Sequence, residues 1–323
     1  MKTIQLADFS SAICAIGKIL AATAAIAITG TLHADEPDED SVSVVICGDV
    51  MLDGGPGHEI VNGADPFKDF APLLASADIS ICNLECVIAK GGEVMQKAYT
   101  FRGADGSLPL LKKHFAAVSV ANNHSSDFGI ETFVRQLEMM EEGELAYFGG
   151  GRNLKDARMP LILERNGMRV AFLGYNGFNP KQYSATNDRA GVGPLDIDIM
   201  TADIRNAREK HNADIVIPYL HWGRELVPAP RQIHVEMAHQ LIDAGASVVV
   251  GAHPHITQTV DIYKGHPIIY SLGNFVFDYF PVDPPIWVGW VPKFTFHRDG
   301  QIDLETTAFE IDQIGIPHLI PED

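Results

Sequence analysis

Five short apolar runs of this sequence are each followed by residues that can bind a divalent cation. These residues are, in chain order, Asp49, Asn83-Leu84-Glu85, Asn122-Asn123-His124, His221-Trp222-Gly223 and His253-Pro254-His255. Carboxylate oxygens, amide oxygens and imidazole nitrogens are ligands that zinc, manganese and iron accept in proteins. Taken singly, each residue also has an ordinary explanation as a turn residue, a helix cap or a buried packing histidine. Their recurrence at five of the six predicted strand ends indicates a metal site.

Other common catalytic arrangements are missing from the sequence. It contains no Gly-x-Ser-x-Gly motif for a serine nucleophile, no His-Glu-x-x-His zinc helix and no Gly-x-x-x-x-Gly-Lys phosphate loop. It also contains no Cys-x-x-Cys pair that could bind zinc through thiolates. A centre built from carboxylates, amides and histidines is therefore the chemistry that the residue pattern favours.

Strand patterns alternate with helix patterns between these residues, which is typical of an α/β fold. The β-branched apolar runs predict strands at 42–47, 79–82, 117–121, 169–174, 215–219 and 247–251. Helical periodicity predicts helices at 130–142 and 230–244, the second with Ile233, Met237 and Leu241 on its apolar face. The carboxyl ends of strands in such sheets converge on one crevice, so we expect the five groups to meet there.

The pattern changes to strands alone beyond His266. Apolar alternation predicts strands at 267–270, 293–297 and 301–310, with Asp299 and Gly300 as a hairpin turn between the last two. We therefore expect the C-terminal part of the fold to be antiparallel β-structure.

The composition is that of a folded protein with a sizeable core. The 323 residues are 46% hydrophobic and 20% charged, and 42 acidic against 24 basic side chains give a net charge of −18. A surface this acidic repels phosphate backbones, which argues against a nucleic-acid partner. It suits cation binding, although solubility alone is the commoner explanation of a negative net charge.

The N-terminal residues read as a targeting segment. A polar start with Lys2 and Lys18 precedes an apolar, alanine-rich run that ends at Leu32-His33-Ala34. This pattern predicts a secretory signal peptide over 1–34, followed by an acidic leader over 35–41. The alternative is an uncleaved membrane anchor, although the apolar run is shorter than the roughly 20 residues that span a bilayer. We therefore expect an exported protein, in the periplasm or outside the cell.

The ordered set of motifs resembles the CapA family, which is named for poly-γ-glutamate capsule biosynthesis and belongs to the calcineurin-like metallophosphoesterase superfamily. The motifs are Gly48-Asp49-Val50-Met51-Leu52, Asn83-Leu84-Glu85, Ala121-Asn122-Asn123-His124, His221-Trp222-Gly223, Gly251-Ala252-His253-Pro254-His255 and Ser271-Leu272-Gly273-Asn274-Phe275. The resemblance implies a four-layer α/β/β/α sandwich of the metallophosphoesterase type over residues 42–323.

The resemblance also implies roles for individual residues. The implied ligands of one or two ions of manganese, zinc or iron are Asp49, Glu85, Asn123, His221, His253 and His255. His124 would be the catalytic acid. Arg102 is a candidate for binding an anionic substrate group, because its planar guanidinium matches phosphate or carboxylate oxygens. The alternative for Arg102 is a plain surface arginine.

Two departures from the superfamily pattern bear on metal binding. Met51 stands where the superfamily usually has a histidine, and a thioether is a poor ligand for hard divalent ions. Asn83-Leu84-Glu85 replaces the usual Gly-Asp that carries the bridging carboxylate. Asp53 is a candidate to compensate for the missing histidine. A single-metal or weakly metallated site is the alternative.

Two functions follow as expectations. The first is a metal-dependent hydrolase, acting on a phosphoester or on an amide of a cell-surface polymer such as poly-γ-glutamate. The second is a non-catalytic component that binds or helps to export an anionic polymer on a phosphatase-like scaffold. Either one would act with membrane-bound partners for polymer synthesis.

Overall fold

The computed structural model describes residues 40–178, 180–278 and 287–320. The predicted signal peptide at 1–34 lies outside these residues, as does the predicted acidic leader except for its last two residues. Across the ranges that are described, no helix is both long enough and apolar enough to cross a bilayer.

The described chain alternates strands and helices in its first two thirds and ends in strands. The strands are β1 (Ser41–Val50), β2 (Ile79–Leu84), β3 (Ala117–Ser119), β4 (Ala146–Phe148), β5 (Gly150–Gly151), β6 (Leu161–Arg165), β7 (Met168–Asn176), β8 (Gly191–Val192), β9 (Ile215–His221), β10 (Val249–Ala252), β11 (Val260–Tyr263), β12 (His266–Ile269), β13 (Asn274–Val276), β14 (Val288–His297), β15 (Ile302–Ile311) and β16 (Pro317–Leu319). The helices are α1 (Gly54–Val61), α2 (Ala71–Ala75), α3 (Ser107–His114), α4 (Ile130–Glu142), α5 (Leu154–Ala157), α6 (Pro180–Tyr183), α7 (Ile197–Glu209) and α8 (Gln232–Asp243).

The longer strands form two sheets. The first sheet has the order β16-β15-β14-β1-β2-β3-β4, with β13 also paired to β1, and the second has the order β11-β12-β10-β9-β7-β6. Strands β1 to β4 are parallel to one another, as are β7, β9, β10 and β12. Strands β14, β15 and β16 pair antiparallel, which confirms the antiparallel C-terminal part.

Strand β1 is buried on both faces. Val44 and Ile46 belong to the apolar cluster that also contains Ile217 of β9, so this face packs against the second sheet. Val45 and Cys47 point the other way, into the cluster that contains the helical residues of α4. Successive strand residues alternate between faces, so burial on both faces explains why residues 44–47 of β1 are all apolar.

Helices cover the outer face of each sheet. Helix α4 packs on the first sheet through residues such as Phe133 and Leu137. Helices α7 and α8 pack on the second sheet, where Ile204 and Leu241 share a cluster with Val216 of β9. Helix, sheet, sheet and helix therefore stack in that order, and the predicted four-layer α/β/β/α sandwich is confirmed.

Helix α8 faces the sheet slightly differently from the prediction. Its buried residues are His234, Ala238, Leu241 and Ile242. These positions are spaced by four, seven and eight residues, so they lie on one face of a helix. Ile233 falls at the edge of that face and is 47% exposed. His234 takes its place against the core, with its ring stacked 4.7 Å from the ring of Trp222.

Candidate metal centre

The predicted strand-end residues of both sheets meet in one buried cluster. In the first sheet, Asp49 of β1 lies beside Asn83 of β2. Glu85 is the first residue after the end of β2. In the second sheet His221 ends β9, beside the last residue of β10, and His253 comes next in the chain. The backbone N–H of His253 donates to Asp49 Oδ2 at 3.1 Å, which joins the two sheets at this point.

The carboxylate of Glu85 is the most unusual group in the cluster. Its side chain is fully buried, and neither oxygen has a hydrogen-bond partner among the described residues. Burial, followed by the nearby charge of Asp49, raises the pKa of Glu85 well above its usual range. A buried carboxylate that accepts no hydrogen bond is strongly destabilising unless a proton or a cation neutralises it. The potential ligand atoms around Glu85 therefore fit a divalent cation.

Two groups of potential ligands share Glu85. In the first group, one donor atom each of Asp49, Glu85 and His255 lies within 4.8 Å of the others. In the second, the donors of Glu85, His221 and His253 lie equally close, with His221 Nε2 at 3.3 Å from Glu85 Oε1. Donors bound to one ion at about 2.0–2.2 Å are separated by roughly 3–4 Å, so these spacings suit coordination. We call them the Asp49 group and the His221 group.

Asn123 extends the His221 group. Its side-chain oxygen lies 2.7 Å from His221 Nε2, so the amide oxygen and the imidazole nitrogen point to the same place. The preceding Asn122 has a different task, because its amide donates to the carbonyl oxygen of Leu84 at 2.8 Å and its oxygen accepts from the N–H of His124 at 3.0 Å. The double asparagine thus combines one residue that holds the turn with one that faces the site.

The histidines of the cluster are held in the neutral form. Burial lowers the pKa of His221 and of His253 well below its ordinary value and lowers that of His255 to about 4. A neutral imidazole keeps one nitrogen lone pair, which is the form that binds a metal. The Nδ1 of His255 lies 2.8 Å from Asn274 Oδ1, and this contact favours the tautomer with the lone pair on Nε2.

The two histidines around Pro254 reach the site through a tight turn. Their backbone φ angles are 93° for His253 and 58° for His255, in the left-handed region that costs a non-glycine residue about 1–3 kcal/mol. The segment is therefore not a continuation of β10, although both rings do reach the cluster. The Nδ1 of His253 is buried without a hydrogen-bond partner in the described chain, as expected of a nitrogen that faces a ligand position.

The Asp49 carboxylate accepts two hydrogen bonds, one on each oxygen. Asn83 Nδ2 donates to its Oδ1 at 2.8 Å and lies 3.3 Å from His221 Nδ1. Burial nevertheless raises the pKa of Asp49 from 3.8 to about 7, and the hydrogen bonds from Asn83 and from the N–H of His253 only partly oppose this. Asp49 is therefore fixed in place while its negative charge is left largely uncompensated.

His124 lies at the edge of the cluster in a fixed orientation. Its Nδ1 is 2.8 Å from Asp127 Oδ2, and its Nε2 is 4.0 Å from Glu85 Oε1. Burial lowers the pKa of His124, and the contact with Asp127 opposes this. The ring of Phe101 packs against the imidazole with 4.3 Å between centroids. Nε2 is thus the nitrogen that faces the potential ligand groups, as the proposed acid requires.

Arg102 and Asp53 are engaged elsewhere. The Arg102 guanidinium donates to the carbonyl oxygens of Ala89 and Gly91 and lies 3.5 Å from the ring centroid of Phe128. The Asp53 carboxylate accepts from the N–H of Gly54 at 2.9 Å, which caps α1, and from the N–H of Arg102 at 2.8 Å. Arg102 thus holds a loop in this structure, and its binding of an anionic substrate group stays a prediction.

Met51 brings no ligand to the Asp49 group. It is fully buried, and its sulfur accepts from the N–H of Asp53 at 3.1 Å. Because Asp53 is used as a helix cap, it does not compensate for the histidine that the superfamily pattern leads one to expect at position 51. The Asp49 group is therefore poorer in ligands than the His221 group.

Several supporting residues could not be assigned a role from the sequence. Asn83, Asn274 and Asp127 orient Asp49, His255 and His124, and Lys97 pairs with Asp127 Oδ1 at 2.5 Å. Glu225 lies with His253 and His255 in a third group of close donor atoms. The spacing of Asp127, three residues after His124, is a local signal that could have been used. Lys97 and Glu225 come from loops whose path depends on tertiary packing.

Comparisons with known proteins agree with this geometry. Residues 43–279 match the family described as "Bacterial capsule synthesis protein PGA_cap". The chain is 33% identical over 258 residues to "Capsule biosynthesis protein CapA" of Bacillus anthracis, covering 75% of this chain and 61% of that protein. It is 32% identical over 247 residues to "PGA biosynthesis protein CapA" of Bacillus subtilis (strain 168), covering 74% and 64%. The chain thus spans less than two thirds of the length of these relatives.

Solved structures resemble the fold at low sequence identity. A 5'-nucleotidase precursor from Thermus thermophilus superposes with a TM-score of 0.55 at 13% identity, over 86% of this chain and 56% of that one. The NAD nucleotidase NadN of Haemophilus influenzae gives a TM-score of 0.52 at 12% identity, over 87% and 60%. These similarities establish the metallophosphoesterase-type fold, and the sequence matches confirm the resemblance to CapA. The chain therefore belongs to the bacterial capsule synthesis protein family PGA_cap.

Proposed function

We propose that this protein is an exported, divalent-cation-dependent hydrolase that acts in the metabolism of capsule or poly-γ-glutamate cell-surface polymer. Its substrate would be a phosphoester or an amide of an anionic polymer, and its partners the membrane-bound proteins of polymer synthesis. The observation that carries the proposal is the Glu85 carboxylate, buried without hydrogen-bond partners in the described chain between two groups of potential ligands. A group this costly to bury is expected where a cation neutralises it.

The residues divide between two cation positions. Asp49, Glu85 and His255 would hold one ion, and Glu85, Asn123, His221 and His253 the other. Divalent cations in such a site lower the pKa of bound water and neutralise the charge of phosphoryl oxygens. The protein's own contribution is to keep three histidines neutral and to hold the carboxylates in place.

His124 would donate a proton to the leaving group as a general acid. Its Nδ1–H is directed at Asp127, which stabilises the imidazolium once Nε2 has gained a proton. Nε2 faces Glu85 Oε1 at 4.0 Å, so it borders the region where a substrate oxygen would depart. His124 would therefore hold a proton at Nε2 and pass it to that oxygen.

A specific observation favours the non-catalytic alternative. Met51 offers its sulfur to a backbone N–H, and the Asp53 carboxylate caps α1, so the Asp49 group gains no ligand from either. A weakly metallated site of this kind could serve to bind or help export an anionic polymer. In that case metal content would be low and polymer binding would not require metal.

The two functions are separated by metal analysis followed by turnover. The purified protein is loaded with manganese or zinc, its bound metal is counted, and hydrolysis of a phenyl phosphodiester, whose leaving oxygen needs a proton, is measured. The hydrolase proposal predicts bound metal, together with a roughly 10²- to 10⁴-fold loss of turnover in His124→Gln without loss of metal. His58→Gln, at an exposed histidine of α1, is the matched control. Unchanged turnover in His124→Gln would disprove the acid role, and poly-γ-glutamate binding by a metal-free protein would establish the alternative.

Export is tested separately. Residues 1–34 carry the predicted signal, so the protein recovered from outside the cytoplasm is expected to begin near Asp35. N-terminal sequencing of that material decides the point, because a retained Met1 would indicate an uncleaved anchor instead.

A further inference from the structure

Lys97 connects a loop without regular structure to the turn that carries Asn123 and His124. Its ammonium pairs with Asp127 Oδ1 at 2.5 Å and donates to the carbonyl oxygen of Asn123 at 2.9 Å. It also lies 3.2 Å from His124 Nδ1. One cation therefore touches both ends of the segment from Asn123 to Asp127.

The loop around Lys97 is docked on the same segment by its backbone. The N–H of Met95 donates to the carbonyl oxygen of Asp127 at 2.8 Å, and the N–H of Phe101 donates to Asp127 Oδ2 at 2.8 Å. Asp127 thus receives Lys97 on one carboxylate oxygen, and Phe101 and His124 on the other. This arrangement fixes the direction in which the His124 ring can point.

The contacts of Lys97 are made away from water. The side chain of Lys97 is 20% exposed, and that of Asp127 is fully buried. The positive charge of Lys97 also acts on Glu85, whose pKa it lowers against the larger effect of burial. Lys97 is thus a cation placed beside a cluster that is otherwise rich in carboxylates.

The ammonium has few donors left for a substrate. A lysine offers three N–H donors. One is directed at the Asn123 carbonyl, while the Asp127 carboxylate forms an ion pair with the ammonium at 2.5 Å and the His124 ring lies 3.2 Å from it. A group used in this way orients its neighbours rather than binding a ligand of its own.

We propose that Lys97 is a positioning residue, which holds Asp127 and the backbone of Asn123 so that His124 presents Nε2 to the reacting group. This inference rests on the proposed function, because it needs His124 to deliver a proton. It predicts that loss of Lys97 impairs proton delivery specifically, and leaves substrate binding largely intact.

The test compares Lys97→Met with Lys90→Met. Lys90 lies in the same loop but is exposed and paired with Asp105, so it controls for loss of a positive charge there. Turnover is measured with a phenyl phosphodiester, whose leaving oxygen needs a proton, and with a 2,4-dinitrophenyl phosphodiester, whose leaving oxygen does not. Lys97→Met should lower kcat about 10- to 100-fold on the phenyl substrate, change it less than about 3-fold on the dinitrophenyl substrate, and leave KM unchanged. Lys97→Arg, which keeps the ion pair, should have a kcat on the phenyl substrate between those of Lys97→Met and the wild type.

A second measurement does not depend on catalysis. In the metal-free protein, the ¹⁵N resonances of the His124 ring should move in Lys97→Met and stay in place in Lys90→Met. Three results would overturn the inference. They are His124 resonances in Lys97→Met that superimpose on those of the wild type, equal losses of kcat on both substrates, and a rise in KM alone. If the wild type binds no manganese or zinc and hydrolyses nothing, the proposed function fails, while the resonances still show whether Lys97 orients His124.

Discussion

Replacing Glu85 by glutamine should stabilise the metal-free protein at alkaline pH and abolish its response to metal. Glutamine keeps the shape of the side chain and removes its charge. Because the pKa of Glu85 is higher in the folded chain than in the unfolded one, the folded chain binds the carboxyl proton more tightly. Below about pH 4 the wild type and Glu85→Gln should therefore be similarly stable. As the pH rises beyond 4.5, the ordinary pKa of this carboxyl, the wild type loses more stability than the variant, in which Asp49 still titrates.

The size of the effect follows from the cost of a buried, unpaired charge. Such a charge destabilises a folded protein by about 3–5 kcal/mol. The neighbouring Asp49 provides a scale of the same order, because a rise of its pKa from 3.8 to about 7 corresponds to roughly 4 kcal/mol. Metal has the opposite effect: at a free concentration roughly 100 times the Kd it stabilises the wild type by about 2.7 kcal/mol. Glu85→Gln should gain almost nothing from metal.

Urea unfolding, followed by tryptophan fluorescence, measures both effects. Unfolding curves are recorded at pH 4, 6 and 8 with a chelator, and at pH 8 with manganese or zinc. Comparing the variant with the wild type at each pH removes the contributions of the histidines, which titrate in both proteins. Glu305→Gln, at an exposed residue of β15, is the matched control. If Glu85→Gln is less stable than the wild type in chelator at pH 8, or gains as much stability from metal, our reasoning about Glu85 is wrong.

Three further predictions concern the same centre. Glu225→Gln should weaken metal binding about 10-fold in calorimetry, because the Glu225 carboxylate lies 4.0 Å from His253 Nε2 and adds negative charge beside the potential ligands His253 and His255. An unchanged Kd would contradict this. Metal binding should weaken as the pH falls below about 7, because Asp49 must ionise to bind the metal. Calorimetry should therefore detect protons released on metal binding, and binding without proton release would argue against Asp49 as a ligand. Gly48→Ala should lower Tm and metal affinity together, because an added Cβ would lie 2.1 Å from the carbonyl oxygen of Gly273 beside Asp49; normal metal binding in this variant would show that the strand end can shift freely.

The sequence predicted a helix or strand correctly wherever its local apolar pattern matched the residues that are buried in the folded chain. Helix α4 occupies the predicted residues 130–142, because a single apolar stripe faces the sheet along its whole length. Strand β3 ends at Ser119 instead of residue 121, although the residues beyond it are equally apolar. There the chain leaves the sheet for the turn held by Asn122, and strand propensity carries no information about that turn.

The sequence predicted which residues could be ligands, but it did not predict the hydrogen bonds and ion pairs that orient them. Asp49, His221 and His253 follow strong strand patterns, and parallel topology brings the ends of such strands together. The positions of Lys97 and Glu225 depend on loops that are ordered by long-range contacts. The N–H of Leu226, next to Glu225, donates to the carbonyl oxygen of Pro254 at 2.9 Å, a contact that no local pattern of the sequence signals.

The division of the potential ligands between two sheets has a consequence for when the proposed centre could acquire a metal. Asp49, Glu85 and Asn123 come from the first half of the fold, whereas His221, His253 and His255 come from the second. Neither half holds a complete set, so a nascent or half-folded chain would capture metal poorly. If the proposed centre binds an ion, that ion would be chosen by the compartment in which the two halves close on one another, and by whichever cations are abundant there at that moment.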